Sequence, residues 1–317
     1  MLRETRLLEK ASTPTPVSHV WTGVLWMVLC LISFIGMALA SRELSYSMPI
    51  LEILLLRSLV GVAIMLLLAR RFLPELLQLT DIRLHFFRNT IHFGAQYLWT
   101  VAVTVLPLAY VFALEFTMPI WVALFAWMAL GEKISRTRAY AILISFVGVL
   151  IVLSPSGGLN PAALMVLAAA AGYGASAVFV KRLTAHSSAA VIVTWMVLMQ
   201  LPMSAVALLL AGEGVWPSLE NLPWILMLGA ATLSAHYTMA RALKLIDASL
   251  AIPIDFLRVP LIAAVGWVFY GESISAAVFA GAALIAAANF FAVRREAASA
   301  IPMKPEGEAI QAERATR

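Results

Sequence analysis

Two carboxylates, Glu115 and Asp255, lie within strongly hydrophobic stretches of the chain and are 140 residues apart. A charged side chain in such a stretch needs a partner or a function, because burying an unpaired charge is costly. As a pair, the carboxylates could bind the ammonium group of a small molecule or take up a coupling proton. The alternative for Asp255 is a structural ion pair, since Arg258 follows it by three residues on the same helix face. Glu115 has no basic residue three or four positions away. Glu115, Asp255 and Arg258 are therefore candidate binding residues.

A second set of polar residues repeats at the same spacing. Gln96-Tyr97 corresponds to His236-Tyr237. These side chains could hydrogen-bond a polar ligand or pass a proton, or they could serve only as hydrogen-bonding contacts between helices. Trp99, three residues after Gln96, could stack on a ligand ring or pack in the core. We include all five in the candidate site.

Prolines accompany both acids. Pro119 follows Glu115 by four residues, while Pro253 and Pro260 flank Asp255. A proline inside a helix frees a backbone carbonyl one turn earlier and interrupts the helix. Interrupted helices at membrane depth line cavities or act as hinges, although some are kinks that serve only packing. The three prolines are predicted hinge positions.

The remaining charges have less specific interpretations. Arg57 could meet Glu115 or an anionic group of a substrate, because its burial requires some partner. Arg88 lies near the end of its hydrophobic stretch and is expected to extend toward water. Glu132 and Glu272 are expected in water at helix ends, with a structural or gating role.

Several chemistries are not encoded. The chain lacks a Gly-x-x-x-x-Gly-Lys phosphate loop, so direct ATP drive is not expected. The histidine spacings and the single cysteine, Cys30, offer no closed metal site and no intrachain disulfide. We expect no cofactor and no enzymatic activity. The Gly172–Ser176 segment is interpreted as a small-residue face for helix contact, and Gly148 as a packing or homodimer surface.

The elements that position these residues follow from composition. The chain is 62% hydrophobic and 12% charged, with a mean hydropathy of +0.92. A soluble domain of 317 residues could not hide so much apolar surface, so the lipid bilayer must be its solvent. Long apolar runs without alternation indicate helices rather than a β-barrel. The predicted fold is an all-α integral membrane protein.

Ten transmembrane helices are predicted, each near the roughly 20 residues that span a bilayer. They are Val20–Ala40, Ile50–Ala69, Leu84–Leu106, Ala109–Leu130, Arg136–Leu153, Pro161–Val180, Ser188–Ala211, Leu222–Leu243, Ser249–Tyr270 and Ser275–Val293. The predicted organisation is a cytoplasmic tail (1–19), a five-helix repeat (20–154), a second five-helix repeat (161–294) and a disordered tail (295–317).

The two repeats predict inverted topology. Besides the acids and tyrosines, Phe116 matches Phe256, Trp127 matches Trp267, and Gly131-Glu132 matches Gly271-Glu272 at the 140-residue offset. A repeat with an odd number of spans re-enters the membrane from the opposite side. Inverted repeats build many secondary transporters, which open alternately to the two sides around one central site.

Basic residues predict the orientation. If the N-terminus is cytoplasmic, basic residues alternate correctly at every crossing, and only Arg42 falls in an outer loop. The inner segments contain Arg3, Arg6, Lys10, Arg70, Arg71, Arg83, Lys133, Arg136, Arg138, Lys181, Arg182, Lys244, Arg294 and Arg295. Both termini are therefore expected in the cytoplasm. The net charge of +5 reflects this topology and anionic lipid headgroups rather than nucleic acid. The first span aligns with the sixth, so it is expected to be retained rather than cleaved as a signal peptide.

These features resemble the drug/metabolite transporter superfamily, and more narrowly its EamA-type members. The resemblance rests on two five-helix halves with a Gly-Glu-x-Ile segment closing the fourth helix of each, Gly131–Ile134 and Gly271–Ile274. Arg57 also lies where such proteins commonly place an arginine. The resemblance covers about residues 21–295 and implies transport of small molecules such as amino acids, nucleotide derivatives, vitamins or drugs.

The predicted function is secondary transport by alternating access across the cytoplasmic (inner) membrane. The expected substrate is an amino acid or a polar aromatic metabolite such as a vitamin or adenosyl compound, with a proton or counter-substrate as the coupling partner. Two other classes stay open: a membrane-embedded enzyme and a non-transporting receptor. Substrate, direction, coupling and oligomeric state are not determined at this stage.

Overall fold

The structure, a computed structural model, describes residues 17–68, 73–77, 81–131, 134–153, 160–246, 248–273 and 275–300. Within these ranges the regular elements are helices. They are α1 (Val17–Ser45), α2 (Ile50–Leu68), α3 (Leu73–Leu76), α4 (Ile82–Val105), α5 (Leu108–Glu115), α6 (Met118–Leu130), α7 (Arg136–Leu153), α8 (Pro161–Leu183), α9 (Ala189–Ala211), α10 (Leu222–Ala242), α11 (Ala248–Phe256), α12 (Arg258–Tyr270) and α13 (Ala276–Ala300). The all-helical prediction is confirmed for this part of the chain.

Eight segments of the described residues are long and apolar enough to cross a membrane. The predicted third and eighth spans, which correspond to α4 and α10, are not among them. Both are long enough, at 24 and 21 residues, but both carry several polar side chains along their length. The number of ten spans therefore stays a prediction, and the two helices in question are those that carry most of the candidate site.

Both acids lie at helix interruptions. α5 ends at Glu115, and α6 begins at Met118 with Pro119 in its first turn. In the second half, α11 contains Pro253 and ends one residue after Asp255. Each predicted continuous span is thus two shorter helices that meet beside an acid. The carbonyl oxygen of Phe116, at the first interruption, accepts a hydrogen bond from the Asn289 amide at 3.3 Å. Hinge motion at these points stays a prediction.

The Gly-Glu segments have the same backbone conformation in both halves. Gly131 and Gly271 end α6 and α12 with φ values of 68° and 62°. This left-handed conformation terminates helices and favours glycine, which has no Cβ to clash. The backbone amides of these glycines bond the carbonyls of the matched Trp127 and Trp267, each at 3.2 Å. The two halves therefore match in structure as well as in sequence at this point.

The two halves are interleaved, so that helices of one half pack mainly against helices of the other. Four main contacts each join one helix from the first half to one from the second: α1 with α10, α2 with α9, α4 with α8, and α7 with α13. The pairs α1–α10 and α4–α8 are equivalents of each other under the repeat. The core that results contains residues from both halves, including Trp99, Phe112, Leu228 and Ile262. The site must therefore form between the halves.

Small residues permit the closest of these contacts, as the sequence predicted for helix packing. A Cβ at Gly148 would approach the Gly281 carbonyl to 2.8 Å, so α7 and α13 touch through their backbones. A Cβ at Gly174 would lie 2.7 Å from that of Trp121, which brings α6 against α8. The Gly148 surface is thus used within the chain, and a homodimer seam stays a prediction.

Helix α13 continues beyond the predicted last span. It runs to Ala300, six residues into the segment expected to be a disordered tail. The sequence Glu296-Ala297-Ala298 explains this extension, because alanine and glutamate favour helix. Residues 1–16 and 301–317, which make up most of both predicted tails, lie outside the described residues.

Candidate functional site

One face of α4 carries a continuous stripe of buried polar side chains. Residues three or four apart fall on the same side of a helix, and this spacing connects the stripe from one end of α4 to the other. Its members are His85, Arg88, Asn89, His92, Gln96, Trp99 and Thr100. The helix pairs with α8 and also contacts α9 and α2. The stripe therefore faces the interior of the bundle and links the two clusters described next.

The first cluster, here the Arg258 cluster, consists of Arg258, Glu115 and Asp255. The Arg258 guanidinium lies 3.3 Å from Glu115 Oε1 and 3.1 Å from Asp255 Oδ2. Trp99 Nε1 donates a hydrogen bond of 2.8 Å to the other oxygen of Glu115. The basic partner of Glu115, absent from its own helix, thus comes from the other half of the chain. Two carboxylates against one guanidinium leave one net negative charge when all three are ionised.

Aromatic rings enclose this cluster. The guanidinium carbon of Arg258 lies 4.5 Å from the ring centre of Phe34, 5.1 Å from Phe112 and 5.2 Å from Phe116. Phe116 in turn meets its repeat equivalent, Phe256, edge to face at 5.8 Å. Ring faces attract a cation, so these contacts stabilise the buried guanidinium together with the acids. Asp255 Oδ1 is left without a partner.

The second cluster, here the Arg57 cluster, contains Arg57, Gln200, His92, His236 and Tyr173. Arg57 donates a hydrogen bond of 2.6 Å to Gln200 Oε1, and Gln200 Nε2 lies 3.0 Å from His92 Nδ1. The His92 ring is 5.3 Å from Tyr173 and 5.8 Å from His236. Five helices supply these residues, so the cluster exists only in the folded bundle.

The charge of Arg57 is not neutralised. The sequence offered Glu115 as its partner, but the structure pairs Glu115 with Arg258 and gives Arg57 the neutral Gln200 instead. No carboxylate among the described residues lies within ion-pair distance of Arg57, which is only 3% exposed. Arg88, expected to reach water, is also buried and bonds Asn89 at 2.7 Å.

The remaining predicted site residues differ in their burial. Tyr97 and Tyr237 are 38% and 51% exposed, and Tyr237 packs edge to face on Trp26. Trp99 is fully buried, where it contacts Phe112 and bonds Glu115. Gln96 continues the polar stripe one turn after His92, and its Oε1 has no partner. A ligand role for these four residues stays a prediction.

Sequence reasoning missed Gln200 and Tyr173. Gln200 has no polar match in the other half, and Tyr173 lies in the Gly172–Ser176 segment that was assigned to packing alone. The available signal was a glutamine in a strongly apolar stretch, because an amide that such a stretch buries needs hydrogen-bond partners.

A third network closes one end of the bundle, here the Arg42 end. Arg42 forms an ion pair with Glu272 and bonds the carbonyl oxygens of Val103 and Leu106. The other Glu272 oxygen accepts a hydrogen bond of 2.8 Å from the Leu108 amide, the first residue of α5. Glu272 was expected in water, and this was wrong: its side chain is only 14% exposed. An ion pair between the halves explains the burial. Glu132 lies outside the described residues.

The opposite end of the bundle is held by more exposed contacts. Arg182 bonds the Ala129 carbonyl at 2.7 Å, and His186 lies 3.2 Å from Asp81 on the surface. Surface ion pairs of this kind contribute little to stability. Among the described residues, the Arg42 end thus has a buried ion pair, and the opposite end has solvent-exposed contacts. The described residues contain no group of histidine, cysteine and acidic residues that could hold a metal ion.

Comparison with protein families gives a match over nearly the whole chain. The sequence model of the EamA-like transporter family matches residues 21–154 and again residues 160–294. The two matches cover α1–α7 and α8–α13 respectively, except for the first residues of α1 and the last residues of α13.

Individual relatives include several transporters. The chain is 33% identical to a riboflavin transporter of Rhizobium johnstonii over 199 residues, which are 62% of this chain and 66% of the relative. It is 26% identical to a riboflavin transporter of Vibrio cholerae, over 84% of this chain and 91% of the relative. An S-adenosylmethionine uptake transporter of Rickettsia bellii is 22% identical over 86% of this chain and 94% of the relative.

A solved crystal structure shares the fold. It superposes with a TM-score of 0.61 at 21% sequence identity, covering 86% of this chain and 98% of the solved chain.

Proposed function

Because this chain belongs to the EamA-like transporter family, we propose that it carries riboflavin or a closely related flavin across the cytoplasmic membrane. The similarity to riboflavin transporters from three bacteria supports this substrate. The structural observation that carries the proposal is the Arg57 cluster. It combines uncompensated hydrogen-bond donors with aromatic and imidazole rings, as a polar aromatic ligand requires.

The proposed transport is secondary and uses alternating access. The two interrupted spans break beside the paired acids, and helices from both halves pack against each other around them. This arrangement suits a rocking motion of one half against the other. A transporter that is closed at one end and accessible at the other would have this combination of a buried Arg42–Glu272 ion pair and solvent-exposed contacts at the opposite end.

The proposed topology has ten spans, in two inverted five-helix repeats, with both termini in the cytoplasm. Its support is the distribution of basic residues and the identical closing glycines of the two halves. The Arg42 end is then the outer end. In this topology α4 and α10 span the membrane despite their polar residues, because those side chains face the bundle interior.

The Arg258 cluster is proposed to couple transport to a proton or a counter-substrate. Its surplus carboxylate would be neutralised by a proton or by a cationic group. This surplus also favours a second candidate, a sulfonium-bearing adenosyl compound, since relatives include S-adenosylmethionine transporters. Membrane-embedded enzyme and receptor functions stay alternatives, although the family and the reported relatives are transporters.

The test is uptake of radiolabelled riboflavin into proteoliposomes, compared with labelled S-adenosylmethionine and amino acids. We expect saturable riboflavin uptake that responds to an imposed pH gradient or to a trans-loaded flavin. Glu115→Gln should abolish that response, whereas the matched change Glu220→Gln, on the exposed surface, should leave it intact. Folded protein that carries no flavin would refute the substrate. Flavin uptake indifferent to Glu115→Gln would refute the coupling role.

A further inference from the structure

Two polar atoms near the Arg57 cluster have no hydrogen-bond partner among the residues that the structure describes. One is the NH1 nitrogen of Arg57, a donor, and the other is Oε1 of Gln96, an acceptor. Both side chains are more than nine-tenths buried. A buried polar atom left unpaired destabilises the fold, so such atoms in a native structure point to a missing partner.

The two atoms are related through His92. Arg57 bonds Gln200, Gln200 bonds His92, and Gln96 lies one helical turn after His92 on the same buried face of α4. Residues four apart on a helix have neighbouring side chains. The second NH group of Arg57 is fixed by Gln200, which leaves NH1 as the free arm of a positioned guanidinium.

We propose that Arg57 and Gln96 bind the imide edge of a flavin ring, a proposal that rests on the function proposed above. That edge presents a carbonyl oxygen beside an N–H group. The carbonyl would accept a hydrogen bond from Arg57 NH1, and the N–H would donate one to Gln96 Oε1. The rings of His92 and Tyr173, whose centres are 5.3 Å apart, would lie against one side of the flat heterocycle.

Simpler ligand groups satisfy only one of the two atoms. A carboxylate would suit Arg57 but would place an acceptor against the acceptor of Gln96. An ammonium group would suit Gln96 but would be repelled by Arg57, which has no carboxylate neighbour among the described residues. A heterocycle edge with an adjacent acceptor and donor satisfies both. The adenine edge has the same alternation, and the uptake comparison of riboflavin with S-adenosylmethionine proposed above separates the two sources.

The experiment is competition against labelled riboflavin uptake in proteoliposomes. The probes are riboflavin, 3-methylriboflavin, in which the imide N–H is replaced by N–CH3, and lumiflavin, which keeps the imide but lacks the ribityl chain. We expect 3-methylriboflavin to inhibit about tenfold more weakly than riboflavin, because a buried acceptor would lose its donor. This comparison uses wild-type protein and needs no variant to fold.

A variant then assigns the contact. In Gln96→Leu, which conserves volume, riboflavin and 3-methylriboflavin should inhibit equally, since there is no acceptor left to satisfy. The ratio of lumiflavin to riboflavin inhibition should be unchanged, because that ratio reports the ribityl chain. Gln96→Asn, which keeps the amide on a shorter arm, should retain part of the discrimination and serves as the second variant.

The outcomes separate this inference from the proposed function. Equal inhibition by both flavins in wild type would overturn the imide contact while leaving riboflavin transport in place. Discrimination that persists undiminished in Gln96→Leu would overturn the role of Gln96. If adenosyl compounds are carried and flavins are not, the proposed substrate and the flavin occupant both fail.

Discussion

Two buried arginines, Arg258 and Arg57, have opposite surroundings. They are 5% and 3% exposed, and both lie deep in the bundle. Arg258 contacts two carboxylates and three aromatic rings. Arg57 contacts a neutral amide and has a free NH1 arm.

The difference separates stability from binding. Desolvating a guanidinium is costly, and attraction to two acids offsets much of that cost at Arg258. At Arg57 no ion pair among the described residues offsets the cost of desolvating the guanidinium. Such an arrangement does not favour stability, so we expect a ligand to complete the site. The comparison therefore predicts that Arg258 stabilises the contact between the halves, and that Arg57 contributes to the proposed substrate site.

The largest expected effect is on the Arg258 side of this comparison. Arg258→Met introduces the residue that the first half has at the equivalent position, Met118. It leaves Glu115 and Asp255 buried without their cation, which should lower the free energy of unfolding by about 3–5 kcal/mol. The measurement is thermal unfolding in detergent.

A compensated variant sharpens that result. The triple change Arg258→Met, Glu115→Gln and Asp255→Asn removes the charges together and should recover most of the stability. If the single change leaves the unfolding temperature unaltered, Arg258 is not the cation that holds the halves.

An intermediate effect is expected at a third buried arginine, Arg42. Glu272→Gln removes its ion pair but keeps a hydrogen-bonding group, so the loss should be about 1–3 kcal/mol. It should also open the Arg42 end. In a Cys30→Ser background, a cysteine placed at Ala109 should react faster with a membrane-impermeant maleimide in Glu272→Gln than in its parent. An unchanged labelling rate would show that this ion pair does not restrict access to the Arg42 end. Glu220→Gln is the matched control.

The smallest effect on stability is expected at Arg57. Arg57→Met removes an uncompensated charge, and this gain offsets the hydrogen bond lost by Gln200, so the net change should be about 1 kcal/mol or less. Uptake should nevertheless fall about tenfold or more, since the substrate loses a charged donor. A large loss of stability with unchanged uptake would reverse the comparison between the two arginines.

Much of the fold followed from sequence, but the partners of the site residues did not. The helical class and the glycines that end α6 and α12 were predictable, because hydrophobic length and repeat matching are properties of the chain itself. The interruptions beside Glu115 and Asp255 followed from the prolines. The contacts Arg258–Glu115, Arg57–Gln200 and Arg42–Glu272 were not predictable, since each joins residues 143 or more apart in sequence.

The sequence by itself determined that this chain is a membrane protein of two matched halves with acids at equivalent positions. Composition and periodicity suffice for that, since a bilayer admits few structures that satisfy the backbone. Only the tertiary structure decided that one arginine pairs with both acids and that another has no carboxylate partner among the described residues. Which faces of helices meet depends on the packing of both halves together, and no local pattern within either half contains that information.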